Sequence, residues 1–137
     1  MTERSESLPE PLHPAGWRRA VGYANGMVAE GRQVHVAGQI GWTGDQVFET
    51  DDFVGQAHQA MRNIVAVLAE ADAGPQHLVR LNWYVVDKAE YLAGVRELGA
   101  AYREVLGDHY PAMTLVQVVA LLEDRARVEI EATAVIP

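Results

Sequence analysis

Apolar and polar positions along the chain follow two periods, and together they predict the order strand, strand, helix, strand, helix, strand, strand. From Phe53, apolar residues recur at Ala57, Met61, Ile64, Leu68 and Ala71, steps of four and three that fall on one helical face. Thr50 or Asp51 is the expected N-cap, with acidic charge at the positive end of the helix dipole. Gly74 and Pro75 are expected to end this helix. A second helix is expected from about Asp87, burying Tyr91, Val95, Leu98, Tyr102 and Val105, with Gly107 as its C-cap.

The remaining apolar runs read as strands. Val21–Ala29 and Gln33–Ile40 are predicted to pair as a hairpin about Glu30, Gly31 and Arg32, with Gly31 free to take a positive φ. Leu78–Val86 is a third strand. Ala112–Leu122 and Ala126–Ile136 are predicted as a second hairpin, turning at Glu123, Asp124 and Arg125. The last strand alternates, with Val128, Ile130, Ala132 and Ala134 on one face and Glu129, Glu131 and Thr133 on the other. The strand before it is apolar at both parities, which predicts burial on both faces. Two helices cover one face of a sheet, so the second face needs another cover. A soluble monomer avoids a large bare apolar face, and the pattern therefore predicts a homo-oligomer.

Composition narrows the class. The 137 residues suit one domain, read as an N-terminal arm over 1–19 and a folded unit over 20–137. Hydrophobic residues at 49 % and charged residues at 22 % describe a globular chain. No cysteine is present, which excludes disulfides, thiolate metal sites and a cysteine nucleophile. A formal charge of −8 argues against a nucleic-acid partner, whose phosphates select a basic surplus. No run approaches the roughly 20 apolar residues of a bilayer span. The arm lacks the apolar middle of a secretory signal, so a cytoplasmic location is expected.

The candidate chemistry is sparse. Glu129 and Glu131 share the strand face directed away from the predicted helices, where a carboxylate in a cleft could orient or deprotonate a water. A solvated or salt-bridged strand face explains the pair as well. Gly38 and Gln39 close the second strand, followed by Gly41, and glycine there lets a ligand approach the backbone. An ordinary bulge is the plainer account. The glycines match neither a phosphate loop nor a dinucleotide fingerprint. The five histidines show no ligand spacing, so no metal is expected. Ser5 and Ser7 are the only serines, and Lys88 is the only lysine, which disfavours serine or lysine covalent catalysis.

Four stretches resemble the RidA (YjgF, reactive-intermediate deaminase) family. Val34 to Ile40, VHVAGQI, resembles its "VFVSGQI" strand. Gln59 to Ile64, QAMRNI, is similar to its "QALENI" helix. Tyr110 to Ala112 matches its "YPA", and Val128 to Ala132 matches its closing "VEIEA". The likeness covers roughly 22–135 in order and spacing. It implies a chorismate-mutase-like α+β fold, a mixed sheet with two helices on one face. It also implies a homotrimer with clefts between subunits, and hydrolysis of imines and enamines such as 2-aminoacrylate to 2-keto acids and ammonia, without metal or organic cofactor.

The resemblance also implies roles for single residues. Glu129 corresponds to the glutamate that handles the water, Gly38 to the glycine whose backbone lines the cleft, and Tyr23 to a tyrosine near the substrate. Gln39 and Trp42 fall beside these positions as further binding candidates. The family carries a carboxylate-binding arginine after "YPA", and here that position is Met113. A thioether cannot make a bidentate clamp. Arg96, on the second helix, is a candidate replacement; the plainer reading pairs it with Glu97 or Glu90. The resulting expectation is an imine or enamine deaminase of altered specificity. A trimer that binds a small metabolite without turning it over is the alternative. A ribonuclease reading fits the charge least.

Overall fold

The computed structural model describes residues 7–137. Along the chain lie β1 (Glu10–Leu12), β2 (Gly26–Val28), β3 (Arg32–Ile40), α1 (Phe53–Ala69), a 3-10 turn (Pro75–His77) and β4 (Leu78–Val85). Then follow α2 (Lys88–Ala93), α3 (Val95–Leu106), β5 (Ala112–Gln117) and β6 (Val128–Ile136). The main sheet has the order β3-β6-β4-β5, with β6 antiparallel to both neighbours and β4 parallel to β5. A parallel pair needs a long crossover, and α2 with α3 supplies it.

The helical periodicity holds where it was strongest. Ala57, Met61, Ile64 and Leu68 have no exposed surface and pack with Leu81, Val85, Val128 and Ile130 of the sheet. The cap is Asp52, one residue later than expected, and its Oδ2 accepts from the Gly55 N–H at 2.9 Å. The helix ends at Ala69, because the next three amides bond three residues back and Asp72 then turns the chain at φ 57°. Ala71 therefore lies beyond the helix. Asp87 caps the second helix as its position suggests, but Gly94 splits it into α2 and α3 and leaves Val95 exposed. Gly107 is the C-cap, at φ 75°.

Both predicted hairpins are corrected. Gly26–Val28 pairs with β1, in the arm, and not with β3. Just before it, the Ala24 N–H donates to Pro111 O at 3.0 Å, which ties the segment to the β5 edge while β3 forms the opposite edge. Gly31 does take a positive φ, 143°, and it passes so close to Ile136 O that a Cβ would sit 1.9 Å away. The second hairpin fails because β6, alternating and buried on one side, inserts between β3 and β4. The strand predicted over 112–122 stops at Gln117 and is an edge, half-exposed in the single chain and not buried on both faces.

The result is an α+β fold, with helices on one sheet face and an open second face. Glu129, Glu131 and Thr133 of β6 point to that open face, as their alternation predicts. Among the described residues, no helix is long and apolar enough to cross a membrane.

Candidate functional site

The open face carries the polar side chains that the sheet interior excludes. Across the β6–β4 pair, Tyr84 stands opposite Glu129, Asn82 opposite Glu131 and Arg80 opposite Thr133. The Tyr84 hydroxyl donates to Glu131 Oε1 at 2.6 Å, and Asn82 Nδ2 donates to the same oxygen at 3.0 Å. Those two bonds, the tyrosine's first, hold the Glu131 carboxyl below its ordinary value of 4.5, and the nearby Arg80 charge adds to the effect. The same bond to Glu131 raises Tyr84, since losing the hydroxyl proton beside a carboxylate is unfavourable. Asn82 Oδ1 is buried without a partner among the described residues, so packing stability alone does not account for an amide there.

Glu129 differs from its neighbour. It is half-buried and makes no hydrogen bond or ion pair among the described residues. It lies against Gly38, where an added Cβ would meet Glu129 Cδ at 2.8 Å and Oε2 at 3.0 Å. The backbone bulges at this point. Val36 pairs with Ala132 and Gln39 with Ile130, so Ala37 and Gly38 together oppose the single residue Glu131. Bulges interrupt the ladder and re-aim side chains beside functional sites. The Gln39 amide closes the bulge by donating to Ala37 O at 3.1 Å.

Two interior amides fix these strands. Asn63 on α1 donates to Ile40 O at 3.2 Å and to Trp42 O at 2.8 Å, pinning the exit of β3. Gln56, fully buried, donates to Thr50 O and Arg125 O and accepts from the Arg127 N–H at 2.7 Å, pinning the entry to β6. Glu129 and Gly38 are thus held by both flanks.

Gly38, Gln39 and Glu129 come together, and the other candidates stand apart within one chain. Tyr23 lines a separate cavity of about 480 Å³ with Trp17, Arg19 and Tyr110. Trp42 rests against Phe48, ring centroids 5.8 Å apart. Met113 packs with the helix-covered core, on the sheet face opposite Glu129. Arg96 is exposed on α3, and the Glu90 carboxylate is held by Arg127 at 2.9 Å instead. Sequence reading passed over Arg80, Asn82 and Tyr84. Their signal was present: three polar or amphipathic residues at every second position of an otherwise apolar strand. Among the described residues, no three His, Asp or Glu side chains gather as a metal site.

The Glu131 cluster predicts a pH dependence. A carboxyl lowered by folding contributes stability that is fully present above 4.5 and lost as pH falls through its lower folded value. Tyr84→Phe is expected to cost about 1–2 kcal/mol at neutral pH. The gap to wild type should shrink in acid, as Glu131 protonates in both. Urea midpoints across the acid range measure it, and a pH-independent gap would remove Glu131 from the explanation.

Comparison with known proteins places this architecture. The family model described as Endoribonuclease L-PSP matches residues 17–136. A RutC family protein from the leuC 5'region of Leuconostoc mesenteroides subsp. cremoris is 33 % identical over 122 residues, covering 85 % of this chain and 89 % of that one. Among solved structures, YyfB of Yersinia pestis, a Rid-family protein of unknown function, is 30 % identical with a TM-score of 0.82, covering 95 % of this chain and all of that one. RidA from an Antarctic Psychrobacter is 29 % identical with a TM-score of 0.66, covering 93 % and 99 % of the two chains.

Proposed function

The chain belongs to the endoribonuclease L-PSP family, the group of the RidA and YjgF proteins, and on that footing we propose that it hydrolyses a reactive imine or enamine to a carbonyl compound and ammonia. The observation that carries this reading is an uncommitted carboxylate, Glu129, lying against the bare backbone of Gly38. Water adds to the carbon of the protonated imine, the C=N electron pair moves to nitrogen, and Glu129 accepts the water proton. The carboxyl then returns that proton to the nitrogen of the carbinolamine. The C–N bond breaks, the Glu129 carboxylate takes the hydroxyl proton as the C=O bond forms, and ammonia leaves, picking that proton up as ammonium. Each proton transfer runs through a positioned carboxyl, the arrangement general acid–base catalysis requires. The reaction is hydrolytic and balances without an oxidant or reductant.

The same reading carries a cytoplasmic homotrimer with clefts between subunits. Val116 at the open edge, and Val119 and Leu122 beyond it, are exposed large apolar residues, which supports cover by further copies. It also gives Tyr23, which lines a separate cavity in one chain, a route into a shared cleft. A ribonuclease reading suits a formal charge of −8 poorly.

The test is timed keto-acid release from 2-iminobutyrate, formed in situ by a threonine dehydratase. The wild-type protein is expected to accelerate release over the buffer rate. No acceleration of this imine or of larger ones, with small carboxylates still bound, would favour the non-catalytic trimer that binds a metabolite.

A further inference from the structure

The open face holds a second cavity, of about 430 Å³, lined by His35, Arg80, Asn82, Glu131 and Thr133. Its size falls in the range of small-ligand sites. Two of its charged groups are only partly engaged. Glu131 Oε1 takes both bonds from Tyr84 and Asn82, and Oε2 takes none among the described residues. Arg80 is exposed and has no hydrogen bond or ion pair among the described residues, although it lies close enough for its charge to favour the ionised Glu131. The side chains thus share a cavity without closing on each other.

The other arginines considered do not compete for this place. Arg125 is bound to Asp51 at 2.8 Å and Arg127 to Glu90 at 2.9 Å. Arg96 is on α3, and Arg19 lines the other cavity. A planar guanidinium with open donors matches a ligand carboxylate bidentately. A carboxylate oxygen with free lone pairs matches an N–H.

We propose that Arg80 holds the carboxylate of the substrate and that Glu131 Oε2 receives its N–H, which makes Arg80 the specificity-determining residue of the open-face site. This rests on the imine-hydrolysis reading above. It moves the anion handle from β5, where Met113 has none to offer, to the middle of β4. On the open face Glu131 is the next residue along β6 from Glu129, and Arg80 stands opposite Thr133, one same-face position further on, so the long guanidinium arm has to reach back past Asn82 to present the substrate towards the carboxylate beside Gly38.

The probe is 2-oxobutyrate, the keto acid that the reaction would release, with butanone as its counterpart without a carboxylate. Binding is followed by NMR titration of wild type, Arg80→Lys, Arg80→Gln and Arg96→Gln. Arg80→Gln is expected to weaken 2-oxobutyrate about 10- to 100-fold, Arg80→Lys less, and Arg96→Gln not at all. Butanone should bind all four alike. In turnover, the Arg80 variants should lose more in KM than in kcat. Wild-type affinity in Arg80→Gln would overturn the assignment. So would no binding to wild type, or a change in sedimentation alone, which would make Arg80 a contact between copies. The two readings fail separately. Binding through Arg80 without hydrolysis sinks the reaction and keeps the carboxylate site. Hydrolysis that is equal in wild type and Arg80→Gln does the reverse.

Discussion

Glu129→Gln is expected to slow imine hydrolysis by about 100- to 10,000-fold, with the thermal midpoint almost unchanged. The amide keeps the volume and shape of the carboxyl but cannot take a proton from water. Stability should hold because Glu129 is half-buried and makes no hydrogen bond or ion pair among the described residues. Substitutions away from core packing and satisfied networks usually fall within about 0.5 kcal/mol. The contrast with Glu131 makes the prediction specific. That carboxyl accepts two hydrogen bonds, so Glu131→Gln should disturb stability as well as activity. Keto-acid release and a thermal melt on the same samples check both statements. A Glu129→Gln protein with wild-type turnover would remove Glu129 from the chemistry.

Gln56→Ala is expected to cost about 3–5 kcal/mol, the largest stability effect outside the apolar core. Gln56 has no exposed surface and satisfies three backbone groups, one in the loop before its own helix and two in the distant segment that leads into β6. Truncation leaves Thr50 O, Arg125 O and the Arg127 N–H without that partner. It also opens a void where Gly41 packs directly on the Gln56 stem, a Cβ there being only 2.4 Å from Gln56 Cβ. Because Arg127 leads into β6, the loss should reach Glu129 as well. Denaturant unfolding gives the magnitude. A cost below about 1 kcal/mol would mean that these backbone groups find other partners.

Helices and strand faces were legible wherever a single period governed the pattern. The α1 stripe and the alternation of β6 each reported their own burial, because a side chain's face follows from its parity or its turn. Strand partners were not legible. The 21–29 and 33–40 runs are neighbours in sequence, and so are the 112–122 and 126–136 runs, which made hairpins the economical reading. Non-local pairing decided otherwise: the Ala24 amide is claimed by Pro111, and β6 by both β3 and β4. Gln56 escaped notice because a glutamine on the buried face of a helix has no apolar signature, although it lies three residues from Phe53 and four from Ala60. Arg80 belongs to no motif, and its one signal is the polar alternation of β4. Within the site, Gly38 and Glu129 are 91 positions apart in sequence and touch across the β3–β6 pair. The family motifs flagged both; only the fold shows that one would lose its position if the other gained a Cβ.

That contact is the centre of the account, and Gly38→Val tests it most directly. Gly38 is exposed, its φ is not in the left-handed region, and the first atoms a side chain would displace belong to the Glu129 side chain, carboxyl group included. The measurement is keto-acid release from 2-iminobutyrate by wild type and Gly38→Val side by side, with circular dichroism on both. The account predicts acceleration by wild type, a folded variant, and a variant rate at the buffer level. Release by folded Gly38→Val at the wild-type rate would contradict it.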